Sequence, residues 1–202
     1  MKKVEETIPK QIDGTAVNVE DSVQLPTAED AKVFFSTVKA RLLAVNKWKE
    51  WAGTLSAGFQ LTDSKGIDVD HGPQVGNFFR INIPAPGIIS GEGYDWVRVE
   101  EVKEEASPDN EYVAVRVRPA SSPVNDREDV AHFYTDDATS NFIVERKGSK
   151  VTAGVYGRNE KPNVDTETIV DKVRNAVVGT GAVTAFSKLQ WKALVSGLLE
   201  RK

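Results

Sequence analysis

The chain contains no cysteine and only two histidines in 202 residues. The missing cysteine removes disulfides, thiolate nucleophiles and cysteine-bound zinc or iron–sulfur centres together. Without a disulfide framework, nothing calls for an oxidising compartment. With His71 and His132 as the only imidazoles, a zinc site would need both of them plus a carboxylate from distant segments. Long apolar runs are absent as well. No stretch approaches the roughly 18 residues of a membrane span, and the lysines of the opening M-K-K are not followed by the apolar segment of a signal peptide. Positive charge is not in excess: 26 Lys and Arg against 30 Asp and Glu give a net charge of -4 and a pI near 5.4. A nucleic-acid surface needs clustered cations to displace counterions from phosphates. Here bases and acids alternate, so neither nucleic acid nor a membrane is expected as a partner, and the protein reads as cytoplasmic.

Catalytic signatures are missing too. There is no G-x-S-x-G elbow and no G-x-x-x-x-G-K-[ST] phosphate loop. The pairs Gly91/Gly93 and Gly179/Gly181 lack the third glycine and the strand-to-helix setting of a dinucleotide site. The spacing asks for no cofactor.

What is present suits a globular fold. A hydrophobic share of 40% with 28% charged residues allows a sizeable core. The expected layout is a flexible arm over residues 1–14 followed by a single α+β domain over 15–202. Residues 16–25 alternate in part and predict a first strand ending at Pro26. A helix follows, with Thr27 as cap and Asp30 at the capping-box position. Its apolar stripe is Ala31, Phe34, Phe35, Val38, Leu42 and Val45. Trp48 and Trp51 fall three apart where that helix should end, with Gly53 as a stop. They close a core or wall a cavity.

Strands are predicted over 55–62, 78–83, 94–102 and 112–117 from alternation and flanking turn residues. A tight turn at 63–66 leads into 67–70. The strands 78–83 and 94–102 are joined by a loop carrying Pro84, Pro86, Gly87, Gly91 and Gly93, whose composition fixes φ at some positions and frees it at others. Residues 119–129 form the longest irregular segment, and 130–139 stay open between strand end and turn. A hairpin pairs 142–146 with 151–156 across Lys147-Gly148-Ser149. The C-terminal part is helical: a short stripe of Ile169, Val170, Val173, Ala176 and Val177, then a longer helix over 182–199.

The fold class is therefore α+β, an antiparallel sheet of about six to seven strands packed against an N-terminal helix and C-terminal helices. The order of elements resembles the helix-grip fold of the START and polyketide-cyclase-like superfamily. The residues that carry the resemblance are Val23 to Pro26 with A-E-D-A-K-V-F-F at 28–35, W-K-E-W at 48–51, and the helix over 182–199. The resemblance implies a curved sheet wrapped around the last helix with an apolar ligand held between them. The glycine break before that helix, and the P-A-P-G and G-R-N-E-K-P-N loops, depart from the pattern. The blocks G-E-G-Y-D-W-V (91–97) and G-R-N-E-K-P-N (157–163) also resemble a family of uncharacterised bacterial proteins.

The candidate ligand-binding residues are polar and aromatic. Tyr94, Asp95 and Trp96 end the shaped loop, Arg158 and Asn159 end the hairpin together with Glu160, and Trp48, Trp51 and Phe79 supply apolar walls. His132, with Asp136 and Asp137 four and five residues on, is either a ligand set, a base with its orienter, or a histidine at a strand edge near an acidic turn. If the strand ends share one rim, an arginine, an amide and aromatics converge at one mouth. A plain salt bridge from Arg158 to Asp95 or Glu160 is the competing reading. The leading expectation is a non-catalytic domain binding a small apolar or amphipathic molecule. The alternative is a protein-interaction module or homodimer presenting the Pro/Gly loops, and the third is a metal-independent hydrolase or lyase.

Overall fold

The computed structural model describes residues 4–53, 56–83, 93–163 and 180–201, with backbone only for 180–186. The loop at 84–92, the apolar stripe at 169–177 and Gly179 lie outside the described residues.

Seven antiparallel strands form one sheet in the order β1-β7-β6-β5-β4-β3-β2. They are β1 (Thr15–Gln24), β2 (Gly58–Thr62), β3 (Phe78–Asn82), β4 (Asp95–Ala106), β5 (Asn110–Pro119), β6 (Thr139–Lys147) and β7 (Lys150–Glu160). The chain crosses from one sheet edge to the other through α1 (Ala28–Leu43) and the short α2 (Trp48–Ala52), and it ends in α3 (Thr180–Leu198). The expected α+β class and strand number hold.

Local chemistry explains the boundaries. Thr27 caps α1 by accepting from the Asp30 amide at 3.1 Å, and its own hydroxyl donates to the Asp30 carboxylate at 2.7 Å. The stripe Ala31, Phe35, Val38, Leu42 and Val45 is buried against the sheet, with Phe34 partly so. Gly148 takes a φ of 55° to close the β6–β7 hairpin, a conformation that suits glycine. The Asp63 turn forms as expected, its Oδ1 accepting from the Lys65 and Ile67 amides.

One face of the sheet carries the main core. Trp48 lies at its centre, fully buried, its ring against Phe59 (5.2 Å), Phe79 (5.7 Å) and Phe142 (4.7 Å). Its indole N–H donates to the Leu42 carbonyl at 2.9 Å, so the polar tip is satisfied inside the core. Leu194, Val195 and Leu198 of α3 close over the same cluster. Gly197 lets the helix touch α2, since a Cβ there would collide with the Trp51 backbone.

The opposite, outer face is partly covered by residues 4–14. Val4 and Ile8 pack on Tyr112, Ala114, Ile143 and Tyr156, and Arg116 donates to the Thr7 carbonyl at 3.2 Å.

Candidate functional site

Antiparallel order places the start of β4, the end of β5, the start of β6 and the end of β7 on one rim of the sheet. The segment after β5 is strung along that rim. Ala131 accepts from the Trp96 amide at 2.7 Å and donates to Ala120 at 3.0 Å. Farther along, Thr135 donates to Lys161 at 3.0 Å and Asn163 donates to Phe133 at 2.8 Å. The long irregular segment is thus tied from β4 across to the extension of β7.

Buried polar side chains gather along this rim: Asp95, Ser122, His132, Thr139, Glu160 and Asn163. Such residues are seldom buried without a partner or a purpose. Asn163 has its partners, donating to the carbonyls of Val130 (3.1 Å) and His132 (3.2 Å). The His132 ring is stacked on Phe133 at 4.3 Å, and its Nδ1 accepts from the Tyr134 amide at 3.0 Å. That bond puts the proton of the neutral ring on Nε2. Asp137 is turned instead to Lys161, at 3.6 Å, and Asp136 is exposed. Among the described residues no cluster of three or more His, Asp or Glu side chains is arranged to hold a metal ion.

Glu160 differs from its neighbours. One extra residue in β7 makes a β-bulge: Thr15 pairs with Glu160 but Val17 with Gly157. Asn159 takes the left-handed φ of 54°, which asparagine tolerates better than most residues. The bulge breaks the alternation that would have placed Glu160 on the same face as Arg158. The carboxyl lies over Gly157 beside the core residue Val17, in space that a Cβ at Gly157 would occupy. Only 5% of Glu160 is exposed, and its Oε2 accepts no hydrogen bond among the described residues. Burial pushes its pKa up to about 7 from 4.5, against the opposing pull of the neighbouring Tyr134 phenol and the cations Lys188 and Arg158.

The structure distributes the residues singled out in the sequence over three places. Trp48 and Phe79 are in the aromatic core and Trp51 packs partly buried at its edge. Asp95, Trp96 and His132 are buried along the rim, Trp96 against Phe78 at 6.5 Å, while Tyr94 is half-buried with the Arg80 guanidinium 5.2 Å above its ring. Arg158 and Asn159 are at the same rim, but two strands lie between β7 and β4, so the two are three strand spacings apart, roughly 14 Å. Arg158 donates to Asn18 Oδ1 (2.7 Å) and the Gly157 carbonyl (2.6 Å). Asn159 fixes the N-terminal segment, its Oδ1 accepting from the Ile12 (2.7 Å) and Asp13 (3.3 Å) amides. Glu160 enters the sequence reading as one of the three polar residues that end the hairpin and as a partner for Arg158. The asparagine before it, a residue suited to left-handed backbone, is the one signal of the bulge that buries it.

The sheet also faces an aromatic wall on α3. Trp191, partly buried, packs on Phe142 (5.3 Å) and Phe59 (6.0 Å). Phe142 lies two residues from Ser140, which pairs with Gly157 beneath Glu160. The Glu160 carboxyl and this apolar wall therefore lie on the same face of the sheet.

A seven-stranded antiparallel sheet whose core face is covered by a long C-terminal helix and by two helices inserted after the first strand is a helix-grip architecture. A solved structure shares it. A hypothetical protein of Helicobacter pylori aligns over 97% of this chain and 94% of its own at 15% identity, with a TM-score of 0.50. A ginseng major latex-like protein from Panax ginseng aligns over 85% and 97% at 13% identity (TM-score 0.39). A START superfamily protein from Mycobacterium smegmatis aligns over 90% and 99% at 11% identity (TM-score 0.35). At these identities the likeness concerns the fold alone. No protein-family model matches the chain. No curated protein matches it either. No described helix is long and apolar enough to cross a membrane.

Proposed function

We propose that the protein is a non-catalytic small-molecule-binding domain that takes an apolar or amphipathic ligand between the sheet and α3. The observation that carries this reading is the buried polar rim beside the aromatic wall of Phe59, Phe142 and Trp191. A mostly apolar site with a few placed polar groups is how small-molecule pockets are commonly built. In this reading Trp48, Trp51 and Phe79 back the apolar wall, and Tyr94, Asp95, Trp96 and His132 form the polar mouth. Arg158 and Asn159 hold the framework around it. No step asks His132 to move a proton.

Native mass spectrometry of the purified chain tests the reading. Extra mass on the folded protein, lost on unfolding, is the expected result. A bare chain that also fails to bind the fluorescent apolar probe 8-anilinonaphthalene-1-sulfonate would overturn it. A second reading, an interaction module or homodimer, is favoured by the outer edge of β1, which among the described residues pairs only with β7 along its ten residues. Such an edge is a template for another strand. Sedimentation as a monomer at high protein concentration would exclude the homodimer.

A further inference from the structure

We infer that Glu160 is the polar end of the ligand site, and that the ligand presents to it a neutral hydroxyl group. The inference rests on the ligand-binding reading above and adds the chemistry of the head group.

The argument begins with unmet hydrogen-bonding capacity. Glu160 is 5% exposed and its Oε2 is buried with no hydrogen bond of normal geometry among the described residues, the Tyr134 phenol being a donor drawn toward the carboxyl. A carboxyl oxygen left in that condition costs free energy unless something donates to it or takes its proton. The neighbouring Thr135 hydroxyl, on the segment that runs along the rim, is likewise buried and unpartnered among the described residues. The Thr135 backbone amide bonds the carbonyl of Lys161, the residue after Glu160. The framework makes space for the carboxyl: Gly157 has no Cβ where it lies, and the bulge at Asn159 turns Glu160 inward.

The surroundings choose the head group. β7 brings Arg158, α3 brings Lys188 and the rim segment brings the Tyr134 phenol toward the carboxyl. β1 contributes Val17, and the start of β6 contributes Ser140, which does not titrate. An ammonium ligand would meet two cations in a poorly solvated place. A carboxylate ligand would have to give up its hydration to reach a group only 5% exposed. Burial keeps the Glu160 proton on to about pH 7, and a protonated carboxyl both donates and accepts. A hydroxyl does the same, so the two groups satisfy one another without moving a charge.

The test compares three amphiphiles with the same alkyl chain, 1-decanol, decylamine and decanoate, as displacers of 8-anilinonaphthalene-1-sulfonate from the whole chain near pH 6. Decanol should displace the probe at a concentration about tenfold lower than either charged analogue, the effect of one well-made buried hydrogen bond. Glu160→Gln, whose amide also donates and accepts, should keep decanol binding within about threefold, and Glu160→Leu should lose about tenfold. Equal displacement by all three, or an unchanged decanol affinity in the leucine variant, would overturn the inference and leave the binding domain standing. Failure of every amphiphile and of the probe would bring down both together. The head-group ranking uses the unmodified protein, so it decides the matter even if the leucine variant does not fold.

Discussion

Arg146 and Glu160 stand at opposite ends of the β6–β7 hairpin, and both are buried ionisable side chains, with 1% and 5% exposure. Arg146 is fully employed. It pairs with Glu111 at 2.6 Å and donates to the carbonyls of Pro108 (3.0 Å), Asp109 (3.4 Å) and Gly148 (3.0 Å). One guanidinium thereby fastens the β4–β5 turn to the β6–β7 turn. Glu160 has an open oxygen, with cations near enough to lower its pKa but too weak in effect to outweigh burial. A buried charge whose bonds are all made is an internal strut. A buried acid with one oxygen left open points to a partner, and this difference is what the proposed ligand site at the rim rests on.

The largest effect should come from breaking the strut. Arg146→Met leaves Glu111 and three carbonyls without their donor, and loss of one partner from a buried pair costs about 3–5 kcal/mol. Urea unfolding should show a midpoint shift of that size with the slope unchanged. A loss below about 1 kcal/mol would mean that the turns hold themselves and that the contrast with Glu160 is overstated.

Next in size is a pH effect belonging to Glu160 alone. Its carboxyl keeps a proton to about 7 in the folded chain against 4.5 ordinarily. Between those values unfolding releases a proton, so stability is fully present below about 4.5 and is lost as pH rises through 7. The loss is on the order of 3 kcal/mol. Glu160→Gln should flatten this part of the stability profile, and a profile identical to that of the parent would show that another group carries the slope.

The fold was largely legible because it rests on local signals. The Thr27–Asp30 cap, the stripe from Ala31 to Val45 and the hairpin across Gly148 each follow from spacing and turn chemistry, and each forms. Trp48 was open between core and cavity wall in the sequence, and its indole bond to Leu42 together with three ring neighbours places it in the core. The rim was less legible, because it depends on which strand ends lie side by side. Spacing along the chain gives no hint that residues 130–135 bridge β4 to the end of β7. Glu160 was hidden for a different reason: strict alternation assigns it the face of Arg158, and a bulge reverses the assignment.

That reversal turns on one backbone angle, and it supplies the smallest of the expected effects. Asn159 has two jobs: it accepts the left-handed φ of 54° that the bulge needs, and its side-chain oxygen holds the Ile12 and Asp13 amides. Asn159→Ala loses both, and the left-handed conformation alone costs a residue with a Cβ roughly 1–2 kcal/mol. Asn159→Gly loses only the bonds to the N-terminal segment, which are exposed and so worth about 0.5–1 kcal/mol together. If the bulge is what turns Glu160 inward, the glycine variant keeps the falling stability between pH 4.5 and 7. The alanine variant has a reason to straighten β7, which would swing the carboxyl toward the solvated face and weaken that slope. Equal pH profiles and equal unfolding midpoints for the two variants would separate the burial of Glu160 from the bulge, and the rim would then owe its character to the segment at 130–135 instead.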